Sequence, residues 1–127
     1  MENLAQQTQN LVNEITKYLN NTPEIITMSY SQSTDIEFIH NQYSKMMNAV
    51  VTLSKLIVKS EAFQARLRIT ISNLSENTTI ESKKKNETKQ CLFYITEITK
   101  PLYEEKDRLT KGYFYYEKMY KTYVSPM

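Results

Sequence analysis

The chain has 127 residues, with one Gly, three Pro, one Cys, one His and no Trp; this is one domain's worth of sequence. A single glycine argues against two-residue hairpins, Rossmann turns and phosphate-cradling loops, which need positive φ or close backbone approach. With 40% apolar residues, 24% charged residues and a net charge of +2, the composition is that of a folded protein, without the dense basic stripe of a nucleic-acid binder.

The first predicted element is a helix over about residues 2–20. Leu4, Thr8, Leu11, Ile15 and Tyr18 recur at spacings of three and four, with Val12 and Leu19 beside them, which places all of them on one helical face. Pro23 ends the run, and residues 21–34 form a connection. Thr22-Pro23-Glu24 has the form of an N-cap followed by Pro at the first helical position, so a short helix through Met28 is one expectation. An extended Ile25-Ile26 segment pinning the loop to the core is the other.

Helix two is expected over about residues 35–74, opened by the capping box Thr34-Asp35-Ile36-Glu37. Ile36, Ile39, Tyr43, Met46, Val50, Leu53, Ile57, Ser60, Gln64, Leu67, Ile71 and Leu74 step by three and four without a break. A second row of Ala49, Leu56 and Phe63 widens the stripe beyond a coiled-coil seam, which points to burial among several helices. At Ser60 and Gln64 the seam turns polar. There either the packing shifts or a polar contact sets the register.

Helix three is expected over about residues 80–124. A second capping box, Thr78-Thr79-Ile80-Glu81, opens it, and Cys91, Ile95, Ile98, Leu102, Glu105, Leu109, Gly112, Tyr116, Met119 and Tyr123 carry its seam. Pro101 predicts a kink or tight restart, with a break at 100–101. Gly112 is a second weak point. The fold class is therefore all-α: a single domain of three long helices in an elongated antiparallel bundle or coiled coil, the third kinked or interrupted near Pro101.

The motifs that could carry chemistry are thin. Glu37 and His40 have the Glu-x-x-His spacing of di-iron bundles, but one His in the chain leaves the ligand set incomplete. Cys91 lies on the apolar seam, where a thiol behaves as a small hydrophobe. No catalytic set, metal site or cofactor fingerprint is present, so no enzyme, metal or cofactor is expected. Asn20, Asn73, Asn77 and Asn86 begin Asn-x-Ser/Thr triplets, but no secretory signal gives them meaning, and the chain is expected to be cytoplasmic and not secreted. No apolar stretch reaches membrane-spanning length.

Two surface features remain. Lys83, Lys84 and Lys85 could contact phosphate or an acidic partner, although Glu81 and Glu87 dilute the patch. Residues 113–123 hold six aromatics, too many for one helical stripe, which predicts a partner-facing surface or packing against helix one, with base stacking or a membrane interface as lesser readings. The apolar face of helix two and these aromatics exceed what three helices can hide. The expected function is that of a non-enzymatic structural or adaptor subunit, hetero- or homo-oligomeric, docking partner helices through Leu53, Leu56, Phe63, Leu67, Tyr116 and Tyr120. The alternative is a self-contained helical chaperone or regulator that binds a peptide or protein. A third reading is a nucleic-acid-associated coat or packaging protein, which the charge balance disfavours.

Overall fold

A computed structural model of the protein describes residues 3–25 and 36–124, the last two by backbone only. Among the described residues there are three helices and no strand: α1 (Leu4–Leu19), α2 (Ile36–Asn73) and α3 (Thr79–Val124), which pack as an all-α bundle.

The helix termini follow local chemistry. Asn3 caps α1, its side-chain oxygen accepting from the Gln6 amide at 2.7 Å, so α1 starts two residues later than its periodicity suggests. At the other end the Asn20 amide donates to the Thr16 carbonyl at 3.0 Å, and Lys17 lies in the last turn, where it complements the helix dipole. The Thr78 hydroxyl caps α3 by accepting from the Glu81 amide at 3.1 Å. The return half of that box is not made: the Glu81 carboxylate accepts from the Ser75 amide instead, at 3.1 Å, which ties the α2–α3 turn to the first turn of α3. Thr34, Asp35, Ile26 and Met28 lie outside the described residues, and residues 22–25 are not helical.

α3 runs through Pro101 as one helix of 46 residues, in place of the expected break. Both Pro101 and Glu97, whose carbonyl loses its helical partner to the proline, are exposed. Water can satisfy that carbonyl, so the missing bond does not end the helix.

The packing resolves into two compact units, Met1–Asn21 with Lys55–Tyr103, and Thr22–Ser54 with Glu104–Met127. In the first, α1 and α2 run antiparallel: Glu14 pairs with Lys59 at 2.7 Å and Gln7 accepts from Arg66 at 3.2 Å. α2 and α3 also run antiparallel there. As the α2 position falls from Gln64 to Ser60, its partner on α3 rises from Thr96 to Thr99.

This unit's core holds Leu11, Val12, Ile15, Leu56, Ile57, Phe63, Leu67, Ile95 and Leu102, all buried. Within it sits a polar network at the point where the seam turns polar. The Gln64 amide donates to Ser60 Oγ at 3.2 Å, the Ser60 and Thr99 hydroxyls lie 2.6 Å apart, and Thr99 donates to the Ile95 carbonyl at 2.5 Å. Given that last bond, Ser60 must donate to Thr99, and each hydroxyl then both gives and accepts one bond. Thr96 donates to Gln64 Oε1 at 3.2 Å and so satisfies the acceptor end of the amide. Thr99, absent from the predicted seam, thus takes the buried place expected of its half-buried neighbour Ile98.

In the second unit Ile39, Met46, Leu53, Leu109 and Tyr116 are buried. Gly112 explains its own identity: a Cβ there would stand 2.7 Å from Ile25 Cδ1, 2.8 Å from Ile25 Cγ1 and 3.3 Å from Met46 Sδ. The glycine lets the Ile25 segment lie directly on the α3 backbone, in agreement with a pinned loop at Ile25.

Candidate interaction surface

The predicted docking residues do not form a surface. Leu53, Leu56, Phe63, Leu67 and Tyr116 are each at most 7% exposed within the chain itself. The wide apolar stripe of α2, surplus for a coiled-coil seam by its spacing, is not left open. In the first unit α1 and α3 approach α2 from different sides, at Lys59 and Arg66 and at Ser60 and Gln64 respectively, and both of its apolar rows are buried there. The premise that these residues await another chain is corrected by this enclosure.

Tyr120 is half-buried and belongs to an aromatic stack on α2, not on α1. Its ring lies 5.8 Å from Tyr43 and 5.3 Å from His40, and Tyr43 in turn stacks on Tyr113 at 5.1 Å. Offset stacks of this geometry add to the burial of ring area. The Tyr43 and Tyr113 hydroxyls share a hydrogen bond of 3.1 Å. That bond, and a second one to Glu117, hold the Tyr113 phenol protonated well above the usual tyrosine range. The Glu117 carboxyl is held below its ordinary value by the bond from Tyr113 and by Lys121, whose ammonium lies 3.3 Å away. The C-terminal aromatics are therefore divided: Tyr113, Tyr116 and Tyr120 pack inward, while Phe114 and Tyr115 remain exposed.

The three lysines do not converge. Lys83 borders an open surface hollow with Thr78, Ser82 and Asn86. Lys84 lines a different cavity, of about 450 Å³, beside Leu4, Thr88 and Cys91. Lys85 is half-buried and pairs with Glu76 at 3.7 Å. Glu37 and His40 are both exposed, and among the described residues no three His, Cys, Asp or Glu side chains come close enough to hold a metal. Among them, too, no helix is long and apolar enough to cross a membrane.

A different surface stands out on the first unit. Val58 and Ile69 are 64% and 62% exposed, and Ala62 and Ala65 between them are exposed as well. Steps of four, three and four residues keep all four within about 60° of the helix circumference, at about 100° per residue. That arc lies opposite the buried Leu56, Ser60 and Leu67. This part of α2 is thus apolar on two faces, one enclosed and one open. The open face borders a groove of about 390 Å³ against α1, floored by Leu11, Ala62 and Phe63. The spacing was legible in the sequence, but two alanines among four residues give it a weaker hydropathy signal than the leucine row across the helix.

Compared with known protein families, curated proteins and solved structures, the chain shows no match in any of the three.

Proposed function

We propose that the chain is a non-enzymatic protein-interaction module, an adaptor or structural subunit that docks a helix of another protein on the outward face of α2 in the first unit. The observation that carries this reading is the open stripe Val58, Ala62, Ala65 and Ile69 set opposite a core the chain closes by itself. Apolar residues left exposed in a row along one helix gain little from folding, and removing their area from water against a partner is favourable at about 25 cal/mol per Å². The two alanines allow a second helix to approach closely, as ridge-in-groove packing requires. The partner is not needed to complete the core, which separates this module from a subunit that folds only in its assembly.

The test is affinity purification from the native host with the wild-type chain and with the double variant Val58→Asp/Ile69→Asp. Both positions are exposed, so the variant keeps its fold, which circular dichroism verifies. A protein retained by the first and lost by the second is the expected result. The same set of proteins on both rejects this face.

A further inference from the structure

The borders of the open stripe carry cations that, Lys59 apart, no described carboxylate pairs with. By their helical phase Lys55, Lys59 and Arg66 lie along one border of the stripe, which is purely basic, and Arg68 lies along the other, which also carries Glu61. The stretch Lys55–Asn73 holds these four cations against one carboxylate, Glu61. Glu61 is already engaged, accepting from the Tyr103 hydroxyl at 2.6 Å, and Lys59 is paired with Glu14. Arg66 reaches only the neutral Gln7 side chain and the face of the Phe63 ring, 5.7 Å from its centroid. Arg68 reaches only the Gln64 amide oxygen, at 3.5 Å. Among the described residues, Lys55, Arg66 and Arg68 have no carboxylate within ion-pair distance.

From this charge pattern, and resting on the docking reading above, we infer that the occupant of this face is an acidic amphipathic helix. Its apolar side lies on Val58, Ala62, Ala65 and Ile69, and its Asp or Glu residues flank that side opposite Lys55, Arg66 and Arg68. Complementary borders fix register and speed encounter more than they add affinity. A second copy of this chain fits the face poorly. Paired antiparallel about the middle of this stripe, two copies set like borders side by side, bringing Lys59 of each toward Arg66 of the other. A lipid surface fits poorly as well, because alanines in the middle of the stripe leave only Val58 and Ile69 to insert.

The experiment selects binders to the full-length chain from a displayed library of helical peptides. The library has a fixed Leu/Ala stripe, with each flanking position drawn from Glu, Gln and Lys. Enrichment of Glu at the flanks is expected, with binding abolished by Val58→Asp/Ile69→Asp. Binding should weaken roughly tenfold in Lys55→Gln/Arg66→Gln/Arg68→Gln, the weight of three exposed ion pairs. Binders lost on Val58→Asp/Ile69→Asp that show no preference between Glu and Lys overturn the acidic partner and leave the docking face standing. If no binder is sensitive to that double variant, both readings fall. Sedimentation of the chain alone and with phosphatidylserine vesicles closes the alternatives: a dimer, or vesicle binding, that Val58→Asp/Ile69→Asp abolishes overturns the inference.

Discussion

Ser60 Oγ lies 2.6 Å from Thr99 Oγ1, with both side chains enclosed between α2 and α3. A buried hydroxyl pair joins two helices at one register only, since sliding either helix by a residue strands polar groups in an apolar core. Thr99→Val keeps the shape but leaves the Ser60 hydroxyl without an acceptor, and is expected to cost about 1–3 kcal/mol. Adding Ser60→Ala removes the stranded donor, so the double variant loses less than the sum of the single ones. Urea unfolding of the four proteins in the cycle measures the difference. Strict additivity would mean that the two hydroxyls do not act together.

Gly112 and Ile25 form a second such pair. Alanine at position 112 gains about 1 kcal/mol of helix propensity but forces its Cβ into Ile25, an overpacking cost of about 1–3 kcal/mol. Gly112→Ala is therefore expected to destabilise by up to about 2 kcal/mol. In an Ile25→Ala background the two closest atoms are gone and only the flexible Met46 Sδ, at 3.3 Å, has to give, so the same change becomes stabilising. Thermal melts of the two pairs show whether the sign reverses, and an unchanged sign would place the strain elsewhere.

The two apolar faces of α2 differ in a way that mutation separates. Leu67→Ala, on the enclosed face, is expected to cost about 2–5 kcal/mol through lost contacts and a residual cavity. Val58→Ala, on the open face, should stay within about 0.5 kcal/mol. Denaturant midpoints of the isolated chain distinguish them. Comparable losses at both sites would show that the outward face is covered in solution.

The phenol–carboxylate pair of α3 gives a pH signature. Glu117 has its pKa lowered in the folded chain, chiefly by Tyr113. Its contribution to stability is thus present above the ordinary glutamate pKa and is lost as pH falls through the depressed folded value. Tyr113 has a raised pKa, so its contribution is present below the ordinary tyrosine pKa and is lost as pH rises through the folded value. Tyr113→Phe removes the larger support of Glu117, and its carboxyl should then titrate closer to the ordinary range by NMR. An unmoved Glu117 titration would assign the depression to Lys121 instead.

Loss of the α3 cap is the simplest check on the turn. Thr78→Ala leaves the Glu81 amide without its acceptor and is expected to cost about 1 kcal/mol. Glu81→Gln keeps a side-chain acceptor for the Ser75 amide and should cost less, as read from paired urea titrations.

Much of the architecture was legible in the sequence because the signals are local. The three–four rhythm from Ile39 to Leu67 names the buried row of α2, with Ser60 and Gln64 marking where a polar contact would fall. The rhythm missed Thr99, whose methyl and hydroxyl fit beside Ser60 better than the larger Ile98 would, a choice that depends on the residue opposite. Its kink-or-break reading of Pro101 did not fix whether the helix ends there, because a proline's cost depends on whether water reaches the carbonyl it strands. Of the predicted docking residues, five proved to be core, while the open face of Val58 and Ile69 went unread.

The sequence by itself determined that this chain is helical and which rows along its helices are apolar. Those properties arise between residues a few positions apart, through caps, breakers and side-chain period. Only the tertiary structure decided which apolar row is enclosed and which is left to solvent. Burial is settled by neighbours distant in sequence: α1 and α3 close over Leu56 and Leu67, and nothing among the described residues closes over Val58 and Ile69.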